Sequence, residues 1–233
     1  MNSDGFNVDY YFDGSVAHIQ KVLSTGIDVN HRRESDGATM IFVAVRLRNL
    51  EGVKYLISLG ADVNYKYYEN NITCLSVAIS GSTIDVMEVL LENKADVNHV
   101  LKNGLSMLHL VSERVTLDAE KAMATALIKH GANVNAVDNM NRTPLHHLCM
   151  HQHDFATAPL FYEAGYVDVP DAIGCRAFDY VIHSQTKKPL VVSFIRWLKA
   201  KENMHFVMTV NHFLQEAYLP HELLVQVSKL ALT

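Results

Sequence analysis

The sequence predicts an all-α solenoid of about six stacked helix–turn–helix units with two extra helices at the C-terminus. Three observations predict it. The stretch from Asp36 to Asn64, DGATMIFVAVRLRNLEGVKYLISLGADVN, returns as residues 71–98, 103–135 and 141–168. The loop position that closes each unit falls at Gly26, Gly60, Lys94, Gly131 and Gly165, in steps of 34, 34, 37 and 34 residues. A hydroxyl keeps nearly the same beat at Thr39, Thr73, Ser106 and Thr143. A unit of this length cannot bury its apolar face alone, so neighbours must stack.

Residues 1–30 read as an N-terminal cap unit. Val16, Ile19, Val22 and Leu23 share one helical face, and Gly26 to Asn30 closes the unit. The units at 36–64 and 70–98 are the best formed. Thr39, Thr73, Ser106 and Thr143 are placed to cap the first helix of each unit through the side-chain oxygen. The closing glycine permits the left-handed backbone that ends the second helix. Lys94 breaks that rule, and the expectation is that Asn93 takes over the turn.

The unit at 103–135 is longer, and Ser112 to Glu120 reads as an exposed inter-helix loop carrying Glu113, Arg114, Asp118, Glu120 and, beside it, Lys121. The unit at 141–168 has Pro159 inside its helical run. Residues 171–198 form a degenerate last unit, with Pro189 in the first turn of its second helix. Beyond it, Met204 to Ala217 and His221 to Ala231 read as two amphipathic helices separated at Pro220. The repeat domain is thus 1–198 and the helical cap 199–233.

The pattern Gly37-Ala38-Thr39-Met40-Ile41-Phe42-Val43-Ala44, and more fully Arg142-Thr143-Pro144-Leu145-His146, resembles the first half of an ankyrin repeat. Val53, Leu56, Ile57 and Gly60-Ala61-Asp62-Val63-Asn64 resemble its second half. The resemblance spans roughly residues 6–198. It implies a non-catalytic protein-binding array whose turn tips and first helices form a concave face.

Composition agrees with such a role. Twenty basic against twenty-five acidic residues give a formal charge of −5, which argues against a nucleic-acid binder working through a bulk basic field. There is no apolar run long enough for a membrane span and no signal-peptide pattern. Cys74, Cys149 and Cys175 are scattered and odd in number, as expected of reduced thiols in the cytoplasm or nucleus.

No nucleophile elbow, zinc-protease motif or Gly-rich phosphate loop is present, so neither catalysis nor a cofactor is expected. His147 and His151 lie one helical turn apart, a spacing compatible with a metal pair. No partner acid or cysteine is placed to complete the set, and the expectation is no metal site. The resemblance implies that His109 and His146 tie neighbouring turns by hydrogen bonds, and that Cys149 packs in the core.

Binding is the positive expectation. The second tip, Tyr65-Lys66-Tyr67-Tyr68, offers large amphipathic side chains with few rotatable bonds, the composition of a contact hot spot. Arg32, Arg33 and Arg46 are placed to meet acidic groups, and Lys102, Asn139 and Met140 extend the set along later tips.

The tail has its own resemblance. Leu219-Pro220-His221-Glu222-Leu223-Leu224-Val225-Gln226-Val227 is similar to the opening of an F-box. Arrays ending in a shortened element of this kind resemble the PRANC-type proteins of poxviruses and some intracellular bacteria. That implies docking of Leu219, Pro220, Glu222, Leu223, Val227 and Leu230 on the F-box-binding adaptor of a cullin-RING ubiquitin ligase, in the cytoplasm of a host cell. The tail is shorter than a full F-box, and Ser228 departs from the apolar pattern. A second reading stands beside it: a self-standing scaffold or inhibitor in which Leu223, Leu224, Val227, Leu230 and Ala231 only cover the open end of the solenoid.

Overall fold

The computed structural model describes residues 14–67, 71–113, 117–151 and 157–182. The expectations for residues 1–13 and for 183–233, both tail helices and the F-box-like stretch included, lie outside the described residues.

Short amphipathic segments start where a side chain satisfies the first free amides. Helix α1 (Val16–Leu23) begins at Ser15, whose Oγ accepts the His18 amide at 3.2 Å. Helix α2 (Met40–Arg46) begins at Thr39, which accepts from Phe42, and α3 (Leu50–Ser58) at Asn49, whose Oδ1 accepts from Gly52 at 2.9 Å. A hairpin of β1 (Lys66–Tyr67) and β2 (Ile72–Thr73) pairs Lys66 with Thr73 and Tyr67 with Ile72. It leads into α4 (Cys74–Ser80), where Thr73 and Ser76 cap each other: Thr73 Oγ1 accepts from the Ser76 amide and Ser76 Oγ from the Thr73 amide.

Helix α5 (Ile84–Glu92) follows, then α6 (Met107–Ser112), α7 (Leu117–Lys129), α8 (Pro144–His151), α9 (Ala158–Glu163) and α10 (Asp179–Ile182). The pairs α2/α3, α4/α5, α6/α7 and α8/α9 each pack as one unit. The first helices stack in the series α2, α4, α6, α8, α10, and the second helices in the series α1, α3, α5, α7. This two-layer stack is the arrangement the repeats require.

The core is a continuous slab between the layers. Ile41, Leu56, Leu75, Ile79, Met87, Leu90, Met107, Leu108, Met123, Leu127 and Phe161 are fully buried. First helices are enclosed nearly all round, since Met40 to Val45 are all buried, whereas α3 buries only Gly52, Val53 and Leu56. Apolar burial of this kind is the main stabilising term.

One polar device repeats at four successive junctions. The amide of Asn30 donates to the Gly60 carbonyl at 3.2 Å, and its Oδ1 accepts the Asp62 amide at 2.7 Å. Asn64 does the same with Lys94 and Asp96, Asn98 with Gly131 and Asn133, and Asn135 with Gly165 and Val167. Each asparagine therefore satisfies a donor and an acceptor of the next unit's loop.

Three local expectations are corrected. Lys94 itself adopts the left-handed backbone, with φ of 64°, while Asn93 stays at −98° and donates its side-chain amide to the Val89 carbonyl at 2.8 Å. The turn is fixed by its place in the stack, since the Lys94 carbonyl must meet Asn64. Residues 117–120 are the first turn of the 13-residue α7 rather than a loop, and Glu120 and Ser112 are buried. Pro159 sits in the first turn of α9, where its missing amide costs no helical bond.

Candidate partner-binding site

Each unit enters its first helix through a turn, and successive turns lie against one another. Tyr65 donates its hydroxyl to the Gly37 carbonyl of the preceding turn, and Tyr67 stacks on Phe42 with ring centroids 4.1 Å apart. Gly104 has φ of 84°, and a Cβ there would stand 2.5 Å from Asn139 Oδ1 and 2.7 Å from the Asn139 amide nitrogen. The next contact is the Ala172 amide donating to the Met140 carbonyl at 2.9 Å, beside Asn141 donating to the Pro170 carbonyl at 2.8 Å. The turns thus form one continuous edge.

Buried imidazoles tie this edge to the helices. His109 Nε2 faces the Arg142 carbonyl at 2.8 Å, and a carbonyl only accepts, so the proton sits on Nε2. Nδ1 then accepts from the Ser106 amide at 3.1 Å and lies 2.8 Å from the Ser106 hydroxyl. His146 repeats the arrangement with Thr143 and the Cys175 carbonyl. Burial pushes His109 down to about 4, only partly opposed by its bond to the Arg142 carbonyl, and lowers His146 too. Both rings are neutral ties between units.

Family models agree with this architecture. One ankyrin repeat matches residues 36–64, and a model of three ankyrin copies matches residues 75–170. The chain carries ankyrin repeats. Together the matches cover more than half of it. No curated protein matches the chain. Ankyrin arrays are generally non-catalytic modules for protein–protein interaction. No described helix is long and apolar enough to cross a membrane.

The sequence-predicted contact residues divide on this ankyrin edge. Arg32 is exposed, with its guanidinium carbon 5.0 Å from the centre of the Tyr65 ring. Lys66, Arg46, Lys102, Asn139 and Met140 are exposed as well. Arg33 is engaged inside its own turn, where its Nε donates to Asp36 Oδ1 at 2.7 Å and a second nitrogen pairs with Oδ2. That hydrogen-bonded pair holds the Asp36 carboxyl at about 2. Tyr65 is buried and Tyr67 half-buried, both packed on the preceding turn; Tyr68 lies outside the described residues.

Counting by the unit step shows what the residue-by-residue reading missed. Arg32, Lys66, Val100 and Val137 occupy one equivalent position, and all four are exposed. Val100 is 46% exposed and Val137 44%, with Met140 at 47% and Ile173 at 70% further along. The edge therefore runs from basic to apolar along the array.

Asp138 anchors the middle of the edge. Its Oδ1 accepts the amides of Met140 and Arg142, and Oδ2 accepts from Arg142 Nε at 2.8 Å. Burial would raise this carboxyl, but the hydrogen bonds from Arg142, its backbone and His147 outweigh it and hold the group well below the carboxylate range. The cysteines play no part here. Cys74 and Cys149 are buried, Cys175 is partly so, and burial pushes the Cys74 thiol up to about 12.

Proposed function

We propose that this ankyrin array is an adaptor that holds a protein target along its turn edge. The observation that carries the reading is the graded edge. Arg32, Lys66 and Lys102 meet an acidic stretch of the target, and Val137, Met140 and Ile173 meet an apolar one. Exposed apolar side chains aligned beside charged ones mark protein contact surfaces better than either type alone. The sequence further supports recruitment of a cullin-RING ligase by the tail, through Leu219, Pro220, Glu222, Leu223, Val227 and Leu230. On that reading the array selects the target and the tail delivers the ligase, in a host cell's cytoplasm if the resemblance to PRANC-type proteins extends to origin.

The test is affinity capture from eukaryotic lysate with the full chain and with a Leu219→Ala, Pro220→Ala, Leu223→Ala variant, read by mass spectrometry. Ligase subunits captured by the first and lost from a still-folded variant would support the adaptor. If they come down equally with both, or with neither, the tail is a cap and the protein is a scaffold or inhibitor.

A further inference from the structure

Beneath the turn edge lies a side-chain cluster that protein recognition does not use. We infer that Glu113, His147 and His151 form a zinc site that clips the C-terminal end of α6 to α8. One ligand atom from each lies within 4.8 Å of the other two. His147 and His151 are one turn apart on α8, and Glu113, the C-cap of α6, comes from the preceding unit.

The chemistry around His147 is specific. Its Nε2 faces Asp138 Oδ2 at 2.9 Å, and its Nδ1 faces Glu113 Oε1 at 3.0 Å. Asp138 is locked by Arg142 and two backbone amides, so it fixes the ring's orientation and keeps the ring proton on Nε2. The Nδ1 lone pair then points at a carboxylate oxygen. Two acceptors at that distance need a cation between them, either a proton or a metal ion. A carboxylate behind a ligating imidazole is the usual outer support of a zinc-bound histidine. The neutral His109 ring meets the His147 ring in a T-shaped contact with centroids 4.9 Å apart.

Two imidazole nitrogens and one carboxylate oxygen suit Zn²⁺, with water as a fourth ligand, and suit Mg²⁺ or Ca²⁺ poorly. Zinc at about 2.0–2.1 Å from each donor would bring the donors to roughly 3.3–3.5 Å from one another. Glu113 and His151 are exposed and close that gap by side-chain rotation, while the buried His147 stays in place.

The experiment is calorimetric titration of the full chain, stripped with chelator, with Zn²⁺ and separately with Mg²⁺, alongside thermal unfolding. Zn²⁺ is expected to bind once per chain and raise the Tm, and Mg²⁺ to do neither. His151→Ala and Glu113→Gln alter exposed side chains and keep the fold; each is expected to weaken binding at least tenfold and abolish the rise in Tm. Asp138→Asn is expected to weaken it about 10- to 100-fold through loss of the outer support, and His130→Ala to leave it unchanged. Absence of zinc binding overturns the assignment. So does zinc binding that survives undiminished in folded His151→Ala and Glu113→Gln proteins.

Discussion

The two halves of the described array join their units by different means. Between residues 36 and 98 the fourth position of the first helix's opening is Phe42 or Ser76. Phe42 stacks on Tyr67 of the next turn, and among the described residues Ser76 bonds to its own Thr73. Between 103 and 175 the same position is His109 or His146, and each buried imidazole spans two units by a bond to a backbone carbonyl. The outer asparagine bridges are the same in both halves. That position thus decides whether the first helix itself adds a polar tie to the next unit; in the first half such ties come from the turns, where Tyr65 and His99 meet the Gly37 and Asn71 carbonyls. The polar junctions gain geometric specificity and become sensitive to protonation.

The largest expected effect breaks the polar side of this contrast. His109→Ala removes the acceptor of the Ser106 amide and the donor to the Arg142 carbonyl, and leaves a cavity. A loss of about 2–4 kcal/mol is expected from buried unsatisfied groups and lost packing. Ser76→Ala, which breaks only a local capping box, should cost about 1 kcal/mol. Urea denaturation of both variants measures the difference, and equal losses would erase the distinction between the halves.

Acid should separate the halves next. His109 is held at about 4 in the fold against 6.5 in the unfolded chain, so the unfolded chain takes up the proton first. The stability tied to that ring is fully present above 6.5 and is lost as pH falls from there toward 4. This is worth about 3 kcal/mol, and His146 acts in the same direction. Asp168, raised by burial, works in the opposite sense, but its Arg176 partner limits it. In the first half Asp36, held at about 2, keeps its contribution above pH 4 and loses it only below that. Peptide-resolved hydrogen exchange, corrected for intrinsic rates, should show residues 103–151 loosening between about pH 6.5 and 4.5 while residues 36–67 stay protected.

A smaller pair of changes tests what the halves share. Asn64→Ala and Asn135→Ala each remove one exposed bidentate bridge, and each should cost about 1 kcal/mol. Thermal melts giving clearly unequal losses would mean that the repeated bridge is not equivalent along the array. The smallest effect is a gain. Lys94→Gly relieves a left-handed lysine and should stabilise the protein by about 0.5–1 kcal/mol, read as a rise in Tm.

Most of the fold was legible because its causes are local and repeat. Gly60, Gly131 and Gly165 do sit in left-handed turns, and Thr39 and Thr73 do cap α2 and α4. Lys94 misled because a stacked neighbour can impose a backbone that the residue itself disfavours. Glu120 misleads because a charged residue in the lengthened step between two helices reads as part of an exposed loop, whereas it lies in the first turn of α7 and is buried. The edge was legible only in part. Exposed Arg32 and Lys66 stand out by chemistry, whereas Tyr65 is drawn inward by the Gly37 carbonyl, a partner in the preceding turn. Glu113 does not read as a neighbour of His147 along the chain. The two are separated by 34 residues, the length of the usual unit step, and in a stacked array that places them side by side.

Recognition along the turn edge is the central claim, and one comparison tests it most directly. The full chain and a Val137→Ser, Met140→Ser, Ile173→Ser variant, matched in circular dichroism and Tm, are used to capture proteins from eukaryotic lysate with quantitative mass spectrometry. The account predicts a specific set of proteins that binds the full chain and is depleted at least tenfold on the variant. Capture of the same set in the same amounts by both would contradict it, and would move the binding surface away from the turns.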